Sequence, residues 1–132
     1  MREIYLSDNH IQEAVGLFSK ITIAIVGIGS PTSHTIVARD SSILTALDLN
    51  TVLERGAVGD IALRFFDSNG QLIESEVDQR VIGIDLERLK SIPRVIGVAG
   101  GPDKVNAIRG ALRAGILDVL ITDRSTAEAL LA

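Results

Sequence analysis

The stretch Ile21-Thr22-Ile23-Ala24-Ile25-Val26, followed by Gly27-Ile28-Gly29-Ser30-Pro31-Thr32, decides how the rest of the chain is read. Six apolar or β-branched residues run without polar alternation and stop at a loop rich in glycine and hydroxyl side chains. An unalternating run of this length predicts a strand buried on both faces, as in a parallel sheet covered by helices. The loop then falls at the carboxyl end of the strand, where open α/β sheets collect their ligands.

Two similar runs follow downstream. Arg94-Val95-Ile96-Gly97-Val98-Ala99 ends at Gly100-Gly101, and Val119-Leu120-Ile121-Thr122 leads to Asp123. Between them Pro102-Asp103 opens a helix with Val105, Ile108, Ala111 and Leu112 on one face, stopped by Gly115. Proline in the first turn and glycine after the last is the usual asymmetry of a helix. Ser125 reads as the cap of a closing helix through Ala127, Leu130 and Leu131. Strand, helix, strand, helix at this spacing makes a βαβ unit with a parallel sheet. Upstream of the first strand, Ser7-Asp8-Asn9 caps a helix carrying Ile11, Ala14, Val15 and Phe18 and ending near Lys20.

The middle of the chain changes character. Ile36-Val37-Ala38 is an apolar patch without a clear period, and Asp40-Ser41-Ser42 caps a short helical segment with Ile43, Leu44 and Leu47. Asn50-Thr51 reads as a further cap, opening a turn through Leu53-Glu54-Arg55 that Gly56 ends. Gly59-Asp60 leads into a strand over 61–66, and Asp67-Ser68-Asn69-Gly70 is a turn whose Asn-Gly supplies the positive φ angles of a tight hairpin. Gln71-Leu72-Ile73 returns as the second arm. Val81-Ile82-Gly83-Ile84 reads as an edge strand, and Leu86 and Leu89 mark a helical turn ending before Pro93. The fold class expected is therefore α/β: a Rossmann-like parallel sheet with flanking helices and an inserted antiparallel hairpin.

Composition bounds the function. The 132 residues are enough for one domain with a real core, and with 46% hydrophobic but only 3% aromatic residues that core is aliphatic. A charged fraction of 23% argues against disorder, and a net charge of −4 argues against this chain holding a nucleic-acid backbone by itself. The absence of cysteine excludes disulfides, thiol nucleophiles and Cys-type zinc sites. Met1-Arg2-Glu3-Ile4 lacks the apolar core of a signal peptide, and no apolar run approaches the ~20 residues that span a bilayer. The expectation is a soluble cytoplasmic protein with no membrane partner.

If the sheet is parallel, three loops share its carboxyl edge: 27–33, Gly100 to Lys104, and Thr122-Asp123. Gly100-Gly101 leads into a helix amino terminus, where free N–H groups and the helix dipole favour an anion. Lys104 adds a positive charge there, and Ser30, Thr32 and Ser33 supply hydroxyls suited to phosphate or sugar oxygens. Each feature also has a plain structural reading: Gly-Gly is turn chemistry, Lys104 a solvated lysine, Asp60 a turn cap. Gly27-x-Gly29 lacks the third glycine of a dinucleotide fingerprint. His10 and His34 show no metal-ligand spacing, and no Ser/His/Asp arrangement can be assigned, so neither metal, cofactor nor catalytic residue is expected. The residues by themselves stop at an α/β domain, with a small-anion site and plain turn chemistry both open as readings of its loops.

Several blocks, in order, resemble the effector-binding domain of SorC-type sugar-binding transcriptional regulators, the group of the deoxyribonucleoside regulator and the central glycolytic gene regulator. They are Ala24-Ile25-Val26-Gly27-Ile28-Gly29; Gly56-Ala57-Val58-Gly59-Asp60-Ile61 with Arg64-Phe65-Phe66-Asp67 and Gly70; and Arg80-Val81-Ile82-Gly83-Ile84. Ile96-Gly97-Val98-Ala99-Gly100-Gly101 with Lys104, Ala111-Leu112-Arg113, and Leu120-Ile121-Thr122-Asp123 with Thr126-Ala127 complete the set. The resemblance implies a fold similar to glucosamine-6-phosphate deaminase and ribose-5-phosphate isomerase, and a phosphorylated sugar as ligand. It implies that Gly29, Ser30, Asp60, Gly101 and Lys104 face that ligand. Members of the family are longer, with an amino-terminal helix-turn-helix domain and a first half of the effector domain carrying a phosphate loop. Residues 1–132 then correspond to a carboxyl-terminal part of the effector domain, and DNA is a partner only through the missing helix-turn-helix domain.

Three functions compete at this point. The first is a sensing module, compatible with a homo-oligomer that passes the signal to paired DNA-binding heads. The second is a sugar-phosphate isomerase or deaminase, for which Asp60 and Lys104 alone fall short of a proton-shuttling constellation. The third is a purely oligomerising piece using the hairpin near Asn69-Gly70 and the run 81–84.

Overall fold

The computed structural model describes residues 1–32 and 44–132. In chain order, helices α1 (Arg2–Leu6) and α2 (Asn9–Gly16) and a 3-10 turn (Leu17–Lys20) lead into β1 (Ile23–Gly27). Helix α3 (Ala46–Glu54), strands β2 (Ala57–Ile61) and β3 (Arg64–Asp67), and helices α4 (Glu76–Arg80) and α5 (Leu86–Ser91) make up the middle. Strand β4 (Arg94–Val98), a 3-10 turn (Pro102–Lys104), α6 (Val105–Arg113), β5 (Val119–Ile121) and α7 (Arg124–Leu131) complete it. Among the described residues no helix is long and apolar enough to cross a membrane.

The α/β reading holds. Strands β1, β4 and β5 form one parallel sheet in that spatial order, with Ile25 opposite Ile96 and Gly97 opposite Leu120. The β4–α6–β5 unit falls where the apolar runs and the Pro102/Gly115 punctuation place it, and Gly115 takes the left-handed conformation after the helix. Parallel strands put the ends of β1, β4 and β5 at one edge, so the three loops do share it.

The covering of the sheet differs from the expectation. Along β1, Ile23 is 59% and Ile25 73% exposed; on the neighbouring strands Val98 is 45% and Ile121 54% exposed. Ala24, Val26, Val95 and Leu120 turn to the other side, onto Ile108, Ala111 and their neighbours in the main core. The strands are apolar on both faces, yet among the described residues helices lie against only one.

The hairpin is also displaced. Strands β2 and β3 pair antiparallel with Ile61 opposite Arg64, so the tight turn is Ala62-Leu63, and Gly59-Asp60 lies inside a strand. Asp67-Gly70 does turn: Asp67 Oδ1 accepts from the amides of Asn69 and Gln71, and the returning arm pairs back on β3, with Leu72 bridging Phe66, the Asp67 amide donating to the Gln71 carbonyl and the Ile73 amide to the Phe65 carbonyl. Adjacent residues of β3 serve two cores. Phe66 joins Ile28, Ile61, Leu89, Val95 and Ile108, whereas Phe65 joins Leu44, Val52, Ala57, Ile73 and Val77.

Other boundaries move for local reasons. Asp8 caps α2 as read, but α1 precedes it and Ala14 is exposed. Asn50 and Thr51 lie within α3, whose cap is Thr45 in a reciprocal box with Asp48; Thr51 bonds back to the Leu47 carbonyl. Residues 81–84 form no strand: Val81 ends α4, and the segment is held by Arg64. Asp123, not Ser125, caps α7, and Leu112 is half exposed at the rim of the α6 face. The patch at 36–38, the cap at 40–42, and Ser33, His34 and Ile43 lie outside the described residues.

Candidate functional site

The site grows from the loop after β1. Gly29 and Asp60 form an antiparallel bridge: the Gly29 amide donates to the Asp60 carbonyl at 2.8 Å, and the Asp60 amide to the Gly29 carbonyl at 3.1 Å. This pins the ligand-edge loop of the parallel sheet to the hairpin. Glycine at position 29 leaves room for the Asp60 carboxylate: a Cβ there would meet Oδ1 first and force that side chain to move.

Asp60 is partly buried, and its carboxylate Oδ2 accepts from the Leu63 amide at 3.2 Å. Loss of water pushes its pKa above the ordinary carboxylate value; the Leu63 hydrogen bond and the Lys104 charge pull the other way. Lys104 is no free surface lysine: its Nζ donates to the Ile28 carbonyl at 2.8 Å, across 76 positions of sequence. Ser30 is buried, with Oγ 3.0 Å from Thr32 Oγ1. Gly29, Ser30, Asp60 and Lys104 are therefore tied together around the end of β1.

Gly101 stands next to this group with a different task. Its φ of 110° suits glycine, and its amide donates to Asp123 Oδ2 at 3.1 Å and Thr126 Oγ1 at 2.8 Å. Sequence reasoning offered this amide to an anion; the α7 cap takes it instead. Asp123 also accepts from the Thr126 amide and the Ser125 and Thr126 hydroxyls, which together hold its carboxyl far below the usual range. The network fixes the Gly100-Gly101 corner to the end of β5, and so sets where Lys104 starts its reach. Asp123 and Thr126, missed as supports of the site, carry the Asp-x-x-Thr pattern of a helix cap.

Chemically, the arrangement brings a carboxylate, an ammonium group and a serine hydroxyl to one edge of the sheet. Its cation is held at a carbonyl, its carboxylate can accept from hydroxyls, and backbone glycines admit close approach. Among the described residues no group of acidic or histidine side chains is placed to hold a metal ion.

The class of protein this geometry defines is an α/β domain with a charged cluster at the carboxyl edge of its parallel sheet. Comparison with known proteins names the family. A family model described as "Putative sugar-binding domain" matches residues 1–132. The chain is 37% identical over 128 residues to the deoxyribonucleoside regulator of Bacillus subtilis (strain 168), covering 93% of this chain and 39% of that protein. It is 31% identical to the sorbitol operon regulator of Klebsiella pneumoniae, covering 99% of this chain and 41% of that protein. The crystal structure of the full-length Klebsiella pneumoniae regulator SorC superposes with a TM-score of 0.91 at 29% identity, covering 99% of this chain and 42% of that one. A structure described as "Putative sugar-binding domain of transcriptional regulator DeoR from Pseudomonas syringae pv. tomato" matches at 44% identity and a TM-score of 0.67, covering 91% of this chain and 43% of that one. The chain belongs to the sugar-binding domain family of SorC-type transcriptional regulators. It spans about two fifths of the length of these curated relatives.

Proposed function

We propose that the chain is the effector-sensing part of a bacterial transcriptional regulator of carbohydrate metabolism, and that its effector is a phosphorylated sugar. One observation carries this reading: Gly29, Asp60 and Lys104, from three distant segments, are locked together at the carboxyl edge of the parallel sheet. Asp60 and Lys104 grip sugar hydroxyls and phosphate; Ser30 and the Gly101 corner line the same edge. Both charged groups are already held by backbone partners, which suits a binding site that reports occupancy better than a proton-transfer centre. The sensing reading places the protein in the cytoplasm, as a homo-oligomer that reaches DNA through a helix-turn-helix domain outside residues 1–132.

We propose further that residues 1–132 are a carboxyl-terminal part of a larger effector domain. The exposed Ile23, Ile25, Val98 and Ile121 side chains support this reading. They make a flat aliphatic face of a few hundred Å², at the upper end of what a monomer leaves bare and short of the ~800 Å² per partner of a stable dimer. A helical layer from the remainder of the domain covers such a face.

Thermal-shift titration with a panel of phosphorylated aldoses and ketoses tests both proposals. It is run on the chain and on a graft in which residues 1–132 replace the matched segment of the Pseudomonas syringae domain. A ligand at 100 times its Kd stabilises by about 2.7 kcal/mol, a shift of several degrees. A shift in the graft alone supports both proposals; a shift in the chain alone or in both supports sensing and removes the need for a second half. No shift in either overturns the sensing reading.

A further inference from the structure

Asp60 stands just before the only non-glycine residues with positive φ among those described, Ala62 at 53° and Leu63 at 61°. With Ile61 paired to Arg64, these two form the mirror-image turn of a two-residue hairpin, a conformation that Asn and Gly adopt cheaply. An alanine and a leucine pay about 1–2 kcal/mol each for it. Three contacts hold the turn in place. The Asp60 carboxylate takes the Leu63 amide, the Leu63 side chain packs against the second core, and Arg64 is clamped beneath it. The Arg64 guanidinium, only 6% exposed as a residue, bonds the Asp78 carboxylate at 3.0 Å and reaches the carbonyls of Asp78, Gly83 and Ile84.

We propose that Leu63 is the positioning residue of the site: its side chain, anchored in the second core, holds its own amide in the left-handed turn, and that amide fixes the Asp60 carboxylate with Oδ1 over Gly29. The inference rests on Asp60 being the ligand-facing carboxylate and adds what aims it. A free carboxylate two bonds from the backbone rotates; one oxygen tied at Leu63 leaves the other a single direction. Residue 63 thus joins the second core, built on α3, α4 and β3, to the edge where the ligand sits. Glycine at this position would relax the turn but lose the anchor.

The test is nuclear magnetic resonance on the labelled chain without ligand, so its outcome is independent of sugar-phosphate binding. The Leu63 amide shift should titrate with the Asp60 carboxyl, and in Asp60→Asn that titration should vanish. Leu63→Ala keeps the amide but removes the anchor. Amide exchange at position 63 should rise at least tenfold relative to the rest of the hairpin, and the Asp60 midpoint should move up as the hydrogen bond weakens. Among the described residues Lys104 is the charged group acting on Asp60. Lys104→Met should also raise the Asp60 midpoint, but leave the position 63 amide protected. A Leu63 amide that ignores Asp60 overturns the proposal. So does a Leu63→Ala chain that loses stability with the Asp60 midpoint unmoved. If Leu63→Ala does not fold, the wild-type titration decides alone. A ligand that binds while the Leu63 amide stays silent to Asp60 refutes this inference and leaves the sensing reading standing.

Discussion

Replacing Ala62 by glycine should stabilise the protein, although glycine for alanine ordinarily costs about 0.5–1 kcal/mol in a regular element. The sign reverses because Ala62 sits at φ 53°, where its Cβ crowds the following carbonyl. Relief of that crowding returns about 1–2 kcal/mol, while the greater freedom of glycine in the unfolded chain takes back about 0.4–1 kcal/mol. Ala62 is exposed, so its methyl group leaves no cavity. The net expectation is a gain of about 0.5–1 kcal/mol, read as a higher urea midpoint at unchanged slope. A loss of stability would refute the reasoning, since it would mean that the turn does not hold residue 62 in the left-handed region.

Three other perturbations follow from the same geometry. Arg64→Met should cost about 2–4 kcal/mol, toward the lower end for a broken buried pair because Asp78 keeps some contact with water, and urea unfolding measures it. Gly29→Ala forces a methyl group against the Asp60 carboxylate and should cost about 1–3 kcal/mol as well as any ligand-induced thermal shift; retained binding at full stability would show that the bridge to Asp60 is not built as described. The Asp48 carboxyl is held down at about 2, chiefly by its hydrogen bond from Arg80, against an ordinary 3.8. A depressed folded pKa gives stability that is present above 3.8 and fades as the pH falls toward 2. Arg80 is half exposed, so the effect stays below about 1 kcal/mol, and comparing Asp48→Asn with the wild type in acid melts between pH 5 and 2 isolates it.

The β4–α6–β5 unit was legible because its apolar runs are long and its helix is bounded by proline and glycine, signals that act within a few residues. Strand β1 was legible as a strand but not in its burial: Ile23 and Ile25 are as apolar as Ala24 and Val26, and nothing in that run says which side lacks a helix. The turn at Asp67–Gly70 was legible because Asn69-Gly70 is a strong local signal, whereas the β2–β3 turn at Ala62-Leu63 carries none and is held by Asp60, the second core and the clamped Arg64. Thr51 and Ser125 have the chemistry of caps, but Thr45 and Asp123 are better placed for their helices. For the site, the loop after β1, Asp60 and Lys104 were each visible, and parallel topology suffices to gather them at one edge. The occupation of the Gly101 amide was not visible, since Thr126 lies 25 residues away and the contact depends on how α7 docks.

We propose Asp60 as a ligand-facing carboxylate, partly buried at the edge of the sheet. Burial raises its folded pKa, so its ionised form costs stability increasingly as the pH climbs above the ordinary 3.8. Asp60→Asn removes that cost and keeps an oxygen for the Leu63 amide. The direct measurement is a thermal melt at pH 7 of wild type and Asp60→Asn in the Pseudomonas syringae graft, with and without the sugar phosphate that shifts the wild type. Asp60→Asn should melt at a higher temperature without ligand and lose the ligand shift. A ligand shift equal to that of the wild type, or a variant less stable without ligand, would contradict the proposal.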